Sequence, residues 1–372
     1  MILTCLSVSG FRNLTEQRLK FCPQINIIAG PNGQGKTNLL EAVHVLALSR
    51  SFRTHQSRDL IRRDAARFCV SGTVRSRGSE CDLSIEQGQN GKVLQVGGSK
   101  RDIFDYLGRL DLVIFASLQI EQFKAESEYR RRLLDRGLYH LQPGHLRRMA
   151  GYLRVVKQKN SLLRERASVY TNATAELLDV WDHQIAELGA KIIEARQFYV
   201  EKLREKLRVR SNGFTPEALD IKYLAANEIS STSSLADIQS QLSTRLRKHR
   251  DREIRLRRSI VGPHRDEIVA EVDGSSIQLY ASAGQQRSAL LAFNLAQMEV
   301  YFDAYGEYPL FLVDDVDSEL DEQRMNELLQ ILESKTQVFV TTTKPGLIRS
   351  SGRCPTHTLQ VSRGQVREVA GL

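Results

Sequence analysis

The residues with the clearest chemical purpose are Gly30-Pro31-Asn32-Gly33-Gln34-Gly35-Lys36-Thr37. Glycines at this spacing let the backbone curl until its N–H groups point inward, a cradle for phosphate oxygens. A helix opening at Gly35-Lys36 adds its positive dipole end. Lys36 would bridge the β- and γ-phosphates, and Thr37 would hold Mg²⁺. The flanks separate such a loop from a chance glycine turn. Ile25-Asn26-Ile27-Ile28-Ala29 reads as a short buried strand, and Leu39, Leu40, Val43, Leu46 and Ala47 recur at helical spacing. Strand, loop and helix in that order predict a nucleoside triphosphate site with Mg²⁺.

A second segment supplies the acids. Tyr308-Pro309-Leu310-Phe311-Leu312-Val313-Asp314-Asp315 is an apolar strand ending in two carboxylates. Asp314 at the strand tip would hold Mg²⁺, directly or through water. Asp315, facing elsewhere, would orient and deprotonate an attacking water. Upstream, Ala281-Ser282-Ala283-Gly284-Gln285-Gln286-Arg287 is a small-residue turn opening a helix, a further nest for an anion. Alone, that string is just as well an N-cap. Its position after the phosphate loop and before the acid-tipped strand and Ser318-Glu319-Leu320-Asp321 is the order of ABC-type ATPases.

The elements that must position these residues are also legible. Residues 1–126 read mainly as strands and turns around the phosphate-loop helix. Strands are expected at 68–74, 82–85, 93–96 and 111–115, with Gly88-Gln89-Asn90-Gly91 as a hairpin turn. From about 127 to 248, within an expected lobe of 127–255, the period becomes helical: Trp181, Ile185, Leu188, Ile192, Tyr199, Leu203 and Leu207 follow a three-or-four-residue rhythm. Pro143, Gly144, Gly189, Gly213 and Pro216 interrupt it too often for a long coiled coil, so a helical lobe inserted into an α/β ATPase is expected. From 256 to 372 the strand pattern returns, with a hairpin at Asp273-Gly274 between 267–272 and 276–279. A helix at 285–302 and strands at 310–313 and 337–341 follow.

Fifty-three Lys+Arg against 44 Asp+Glu leave a net charge of +9 and a pI near 9.3, a balance that permits a nucleic-acid partner. Arg130-Arg131-Arg132, Arg147-Arg148 and Arg245-Leu246-Arg247-Lys248-His249-Arg250 concentrate positive charge in or beside the helical lobe. Each run alone is a solvated helix face; together they suggest a groove that tracks phosphates. No helix-turn-helix, zinc-finger or RNP pattern indicates base reading. The five cysteines are scattered without a C-x-x-C pair, which fits small buried side chains in a reducing cytosol. Without a basic n-region, and without a run near the ~18–20 apolar residues of a membrane span, a cytoplasmic protein with no membrane partner is expected.

The chain resembles the RecF family of recombinational-repair ATPases, short relatives of SMC proteins. The resemblance is carried by Gly10-Phe11-Arg12-Asn13-Leu14, the 30–37 loop, Ser51-Phe52-Arg53-Thr54, Tyr129-Arg130-Arg131-Arg132-Leu133-Leu134-Asp135, Gly262-Pro263-His264-Arg265-Asp266, Ser282–Arg287, Leu312-Val313-Asp314-Asp315 and Ser318-Glu319-Leu320-Asp321. It implies an ABC-type, SMC/RecF-like P-loop ATPase head with an inserted helical lobe, and ATP as the nucleotide. It adds Arg12 and Asn13 to the nucleotide-binding residues. Ser282, Gly284 and Gln285 become the signature that touches the γ-phosphate on another protomer, Gln119 a Q-loop residue, and Ser318 and Asp321 part of a D-loop. It further implies ATP-dependent homodimerisation, binding to double-stranded DNA near single-strand gaps, and cooperation with RecR and RecO. Arg130, Arg131, Arg132, Arg247 and Lys248 are the DNA-contact candidates. The chain departs from the family pattern at Ala283, Ala125-Glu126-Ser127 and Ser117-Leu118, and its last strand ends in Thr341-Thr342-Thr343 without a switch histidine.

Two other classes compete. A transporter ATPase subunit keeps its signature much nearer the phosphate loop than Ser282 is to Lys36. An SMC-type DNA-structuring ATPase needs long heptad arms that this chain lacks.

Overall fold

The strand Ile25–Ala29 before the phosphate loop is buried along its whole length, and so are Leu112–Phe115, Leu310–Val313 and Val338–Thr342. Apolar runs of four or five residues suit strands covered on both faces, and here they form a parallel sheet. The computed structural model describes residues 1–165, 171–210, 219–225, 234–348 and 356–369. In the sheet the order is Gln365–Val369, Thr356–Ser362, Ile25–Ala29, Val338–Thr342, Leu310–Val313, Leu112–Phe115. All pairings are parallel except the terminal hairpin, Thr356–Ser362 with Gln365–Val369. Val338–Thr342 therefore lies between the strand that launches the phosphate loop and the strand that ends in Asp314.

A second, antiparallel sheet runs Gln17–Lys20, Ile2–Ser9, Phe68–Ser76, Ser79–Gly88, Gly91–Val96, Ser99–Arg101. Its longer strands alternate buried and less buried residues, the mark of a sheet with one face on a core. The helix Lys36–Leu48 supplies Leu39, Leu40, Val43 and Leu46 to a core shared with Leu6, Val70 and Ile85 of this sheet and Ile28, Leu312 and Phe339 of the parallel one. Buried on nearly all sides, that helix fixes where the loop before it points. These elements form one of two compact units, residues 1–121 with the described residues from 290 onward.

The other unit comprises the described residues between 122 and 289. The expected lobe limits, 127 and 255, fall inside it. It contains the helices Ser127–Leu141, Gly144–Glu165, Asn172–Arg210 and Leu235–Leu256. The helical reading of 127–248 misses one strand, Leu219–Leu224, which pairs antiparallel with Glu267–Val272. Leu219, Ile221 and Tyr223 alternate with a period of two, and that short signal is swamped by the helical rhythm around it. The hairpin at Asp273-Gly274 forms, but its second strand is only Ser275–Ser276, and Ile277–Tyr280 is a helical turn rather than strand. Pro216 and Gly213, taken as interruptions of the lobe, lie outside the described residues.

Charged side chains are buried in the second unit. Arg196 makes two 2.8 Å bonds to the Asp135 carboxylate and donates to the Pro263 carbonyl at 2.7 Å, while His145 meets Asp135 at 3.0 Å. Burial pushes the Asp135 pKa up, but Arg196 and His145 outweigh it and hold the group at about 2. Lys159 sits between Asp182, at 2.5 Å, and Glu253. Among the described residues no helix is long and apolar enough to cross a membrane.

Candidate functional site

The phosphate loop is built on glycines in conformations closed to other residues. Gly33 has φ 78° and Gly35 φ 119°, and a Cβ on Gly35 would come within 2.9 Å of the Asn13 side chain. Gly35 caps the helix Lys36–Leu48, whose first turn holds no acid to compete with a bound anion. Lys36 is only 6% exposed, and its ammonium donates to the carbonyls of Gly30 at 2.7 Å and Pro31 at 3.0 Å, with Asn32 Oδ1 at 3.4 Å. Burial lowers its pKa, opposed by the charges of Asp315, Asp317 and Asp314.

Asn13 and Gln34 brace the loop. Asn13 Nδ2 donates to the Gln34 carbonyl at 3.3 Å, and Asn38 Nδ2 donates to Asn13 Oδ1 at 2.8 Å. Gln34 Oε1 accepts from Arg363 N at 2.8 Å, and its carbonyl accepts from Gly364 N at 2.9 Å. Arg12, with φ 51°, forks onto buried Glu41 through two 2.9 Å bonds, and Arg53 lies 3.5 Å from the same carboxylate. Both residues carried over as nucleotide-binding, Arg12 and Asn13, thus hold the loop's surroundings through protein contacts.

Thr37 donates to Asp314 Oδ1 at 3.0 Å, and Thr341 donates to the same oxygen at 2.8 Å. Burial raises the Asp314 pKa, with Asp315 adding to the rise and the two hydroxyls opposing it. Asp315 adopts φ 52°, a left-handed conformation that disfavours most side chains, and its N–H donates to Thr341 Oγ1 at 2.6 Å. Its carboxylate accepts from Ser318 at 2.5 Å. Asp321 caps the helix Glu322–Glu333, accepting from Arg324 N at 2.8 Å.

Gln119 lies four residues past the strand Leu112–Phe115, whose last carbonyl accepts from Asp314 N at 3.0 Å. It is 2% exposed and its Oε1 has no hydrogen-bond partner among the described residues. An orphaned oxygen beyond one strand tip, and a buried carboxylate beside a threonine hydroxyl at the next, are hard oxygen donors of the kind Mg²⁺ takes. No cluster of three or more His, Cys, Asp or Glu that would hold a metal unaided occurs among the described residues. The remaining ligands would have to be nucleotide and water, as is usual for Mg²⁺.

Ser282 and Gln285, described with the second unit, form a reciprocal capping box at the start of the helix Ala283–Tyr305. Ser282 N donates to Gln285 Oε1 at 2.9 Å, and Gln285 N donates to Ser282 Oγ at 3.2 Å. Ser282 is exposed, and the space around Gly284 is open, the Ser282 hydroxyl lying 3.9 Å from where its Cβ would stand.

The basic residues separate into two kinds. Arg130 is 4% exposed, with bonds to Glu267 at 2.7 Å and 3.0 Å and to the carbonyls of Phe123 and Lys124 at 2.6 Å and 3.0 Å. A guanidinium so enclosed is not a DNA contact, and that expectation is corrected. Arg131 is half-buried and donates to the Asp266 carbonyl at 2.6 Å, while Arg132 lies near Glu126 and Glu128 at 3.6 Å and 3.5 Å. Arg247 and Lys248 are exposed on the helix Leu235–Leu256, as are Arg252 and Arg255.

Sequence reasoning missed Glu41, Thr341 and Asp317. Glu41 is the one acid in an otherwise apolar stretch of helix, a signal that a cation must meet it inside. Thr341 carries no such signal, because threonine is ordinary in a β-strand.

The model of the RecF/RecN/SMC N terminal domain family matches residues 2–363. The DNA replication and repair protein RecF of Oceanobacillus iheyensis is 34% identical over 341 residues, 91% of this chain and 92% of its own. That of Staphylococcus aureus is 35% identical over 353 residues, 92% and 93% of the two chains. A solved structure of the recombination mediator protein RecF with ATP, in the RecFOR pathway, matches with a TM-score of 0.90 at 33% identity, covering 99% of this chain and 97% of that one. An SMC head bound to a winged-helix domain of ScpA matches at a TM-score of 0.56 and 14% identity over 99% and 97% of the chains, a likeness of fold alone. On its glycine loop, its acid-tipped strand and these relatives together, the chain belongs to the RecF/RecN/SMC family, in its RecF branch, with the ABC-type ATPase fold.

Proposed function

We propose that this chain is an ATP-switched DNA-binding protein of recombinational repair, in which ATP drives two copies together on duplex DNA near single-strand gaps and hydrolysis times release. The observation that carries the reading is the 3.0 Å contact between Thr37 of the phosphate loop and Asp314 of the acid-tipped strand. The relatives' description as replication and repair proteins, and the ATP in the matched structure, support it.

Within one copy, the inward N–H groups of residues 30–37 and the Lys36 ammonium take the phosphates. Mg²⁺ held by Thr37, Asp314 and Gln119 would neutralise the phosphate charge. Asp315, aimed by its left-handed backbone and by Ser318, accepts the proton of the attacking water. The signature residues Ser282, Gly284 and Gln285 complete the site of another copy, with Ser318 and Asp321 in the connecting D-loop. The ATPase head then comprises 1–126 and 256–372 and the helical lobe 127–255. Turnover is slow and DNA-stimulated, a switch rather than a metabolic reaction.

DNA is held by phosphate contacts from Arg247, Lys248, Arg252 and Arg255, with Arg131 and Arg132 contributing where they are exposed. RecO- and RecR-like proteins are the partners in loading recombinase, in the cytoplasm. Gel shift of gapped duplex DNA with and without ATP tests the reading. Binding should require ATP and should prefer gapped over fully paired DNA; ATP-independent binding would overturn it.

A further inference from the structure

The loop after Asp315 is stitched to the neighbouring strand by Asp317, a residue outside the phosphate loop. Asp317 Oδ2 accepts from Thr343 N at 2.6 Å, Thr343 Oγ1 at 2.9 Å and Thr342 Oγ1 at 2.9 Å, and Oδ1 accepts from Thr342 Oγ1 at 2.7 Å. Thr342 Oγ1 in turn accepts from Lys344 N at 2.9 Å. One residue earlier, Thr341 Oγ1 takes the Asp315 N–H and donates to Asp314. Three consecutive threonines thus bond in sequence to the acids of the adjacent strand tip. A further link runs from Ser117 to Glu319. Asp315 stands between these anchors in its strained φ 52° conformation.

A left-handed aspartate persists only where its surroundings over-determine it. The Thr341 contact fixes the backbone entering Asp315, and the Asp317 contacts fix the backbone leaving it. We infer that Asp317 is a positioning residue for hydrolysis: through Thr342 and Thr343 it holds the Asp315 carboxylate in line for the attacking water. This rests on the role given to Asp315 above. Burial alone would push the Asp317 pKa up, but the bonds from Thr343 and Thr342 and the charge of Lys344 bring it below the ordinary value, so it is anionic when it accepts.

The test compares wild type with Asp317→Asn, Thr342→Val, Thr343→Val, and Thr342→Ser as the conservative rescue. Steady-state ATPase, ATP affinity and hydrogen exchange of the 314–320 segment are measured on each full chain. Asp317→Asn replaces one acceptor oxygen by an amide donor facing groups of Thr342 and Thr343 that themselves donate, so kcat should fall tenfold or more while ATP affinity stays within about twofold. Exchange at 315–318 should quicken, Thr342→Val should reproduce the loss, and Thr342→Ser should keep wild-type behaviour. Unchanged exchange, or wild-type kcat in Asp317→Asn, overturns the inference. So does a parallel loss of affinity, turnover and melting temperature, which would mark Asp317 as structural only. If wild type itself turns over no ATP, the proposed function fails, and exchange still decides whether Asp317 holds the loop. The isosteric valine variants cover the case in which Asp317→Asn does not fold.

Discussion

Thr37 and Asp314 are 277 residues apart in the chain and 3.0 Å apart at their side-chain oxygens. Under the proposed function, their contact marks where the metal-bearing end of a triphosphate would lie. Thr341, on the strand between theirs, shares the same carboxylate oxygen at 2.8 Å. Three strand or helix ends meet there, which is the switch-like arrangement open α/β sheets offer at the carboxyl ends of their strands.

Lys36 is the loop's mobile cation, now resting on its own carbonyls. A hydrogen bond to a charged group contributes roughly 1.5–3 kcal/mol. Lys36→Ala should therefore weaken ATP binding about tenfold or more and abolish hydrolysis, with the fold intact by circular dichroism. Calorimetric titration with ATP measures the first effect; a folded variant with normal turnover would remove the loop from the mechanism.

ATP should shift the chain from monomer to dimer and ADP should not, because a γ-phosphate shared between copies binds the dimer preferentially. Asp315→Asn should bind ATP, hydrolyse it slowly and accumulate as dimer. Ser282→Arg should bind ATP as a monomer but fail to pair, since bulk at the exposed cap blocks close approach. Analytical ultracentrifugation with each nucleotide distinguishes these outcomes. Persistent monomer with ATP at tens of micromolar, or normal pairing of Ser282→Arg, contradicts the shared site.

The basic residues divide in a way salt titration can read. The log of DNA affinity should fall against log salt by about 0.9 per phosphate contact. Arg247→Glu with Lys248→Glu should weaken binding and flatten that slope by about 1–2. Arg130→Ala should instead leave the slope unchanged and cost about 1–3 kcal/mol of stability, because it leaves the Phe123 and Lys124 carbonyls without their donor and takes the cation from Glu267. Denaturant melts and gel shifts on both variants check the division.

His264 gives the second unit a pH dependence. Tyr152 O–H donates to its Nδ1 at 2.6 Å, leaving Nε2 3.4 Å from the Ser259 carbonyl. Burial lowers its pKa from 6.5 to about 4; the Ser259 contact opposes this, and the charges of Arg265, Arg131 and Lys159 add to it. Between those values the unfolded chain takes a proton that native His264 refuses. Stability from this group is thus full above pH 6.5 and is lost as pH falls toward 4, by on the order of 3 kcal/mol. His264→Gln should flatten that fall. Urea midpoints at pH 7 and 4.5 for both proteins give the comparison, and equal slopes would refute it.

The parts of this molecule written in local pattern were legible in its sequence. The phosphate loop, the strand before it and the helix after it form one contiguous signal, and the acid-tipped strand another. Leu219–Leu224 was lost because six residues of alternation lie between long helices. Arg130 was misjudged because its neighbours Arg131 and Arg132 look identical in sequence, and only packing against Glu267 distinguishes it. The contacts of Thr341, Thr342 and Asp317 are not legible in the sequence, because they arise from the strand order, which no local pattern encodes.

That strand order has a consequence for how the protein is made. Ile25–Ala29 is flanked in the sheet by Val338–Thr342 and Thr356–Ser362, so neither neighbour exists until the ribosome has passed residues 338 and 356. Until then the phosphate loop hangs from a strand with both edges bare and open to wrong pairing. Parallel pairing over such a span is slow to form. The antiparallel sheet of early residues can assemble meanwhile and hold the phosphate-loop helix against its core, sheltering one face of the future site until the last strands arrive. Under the proposed function, a nascent chain that has not reached Asp314 would have no such carboxylate to offer ATP and its Mg²⁺.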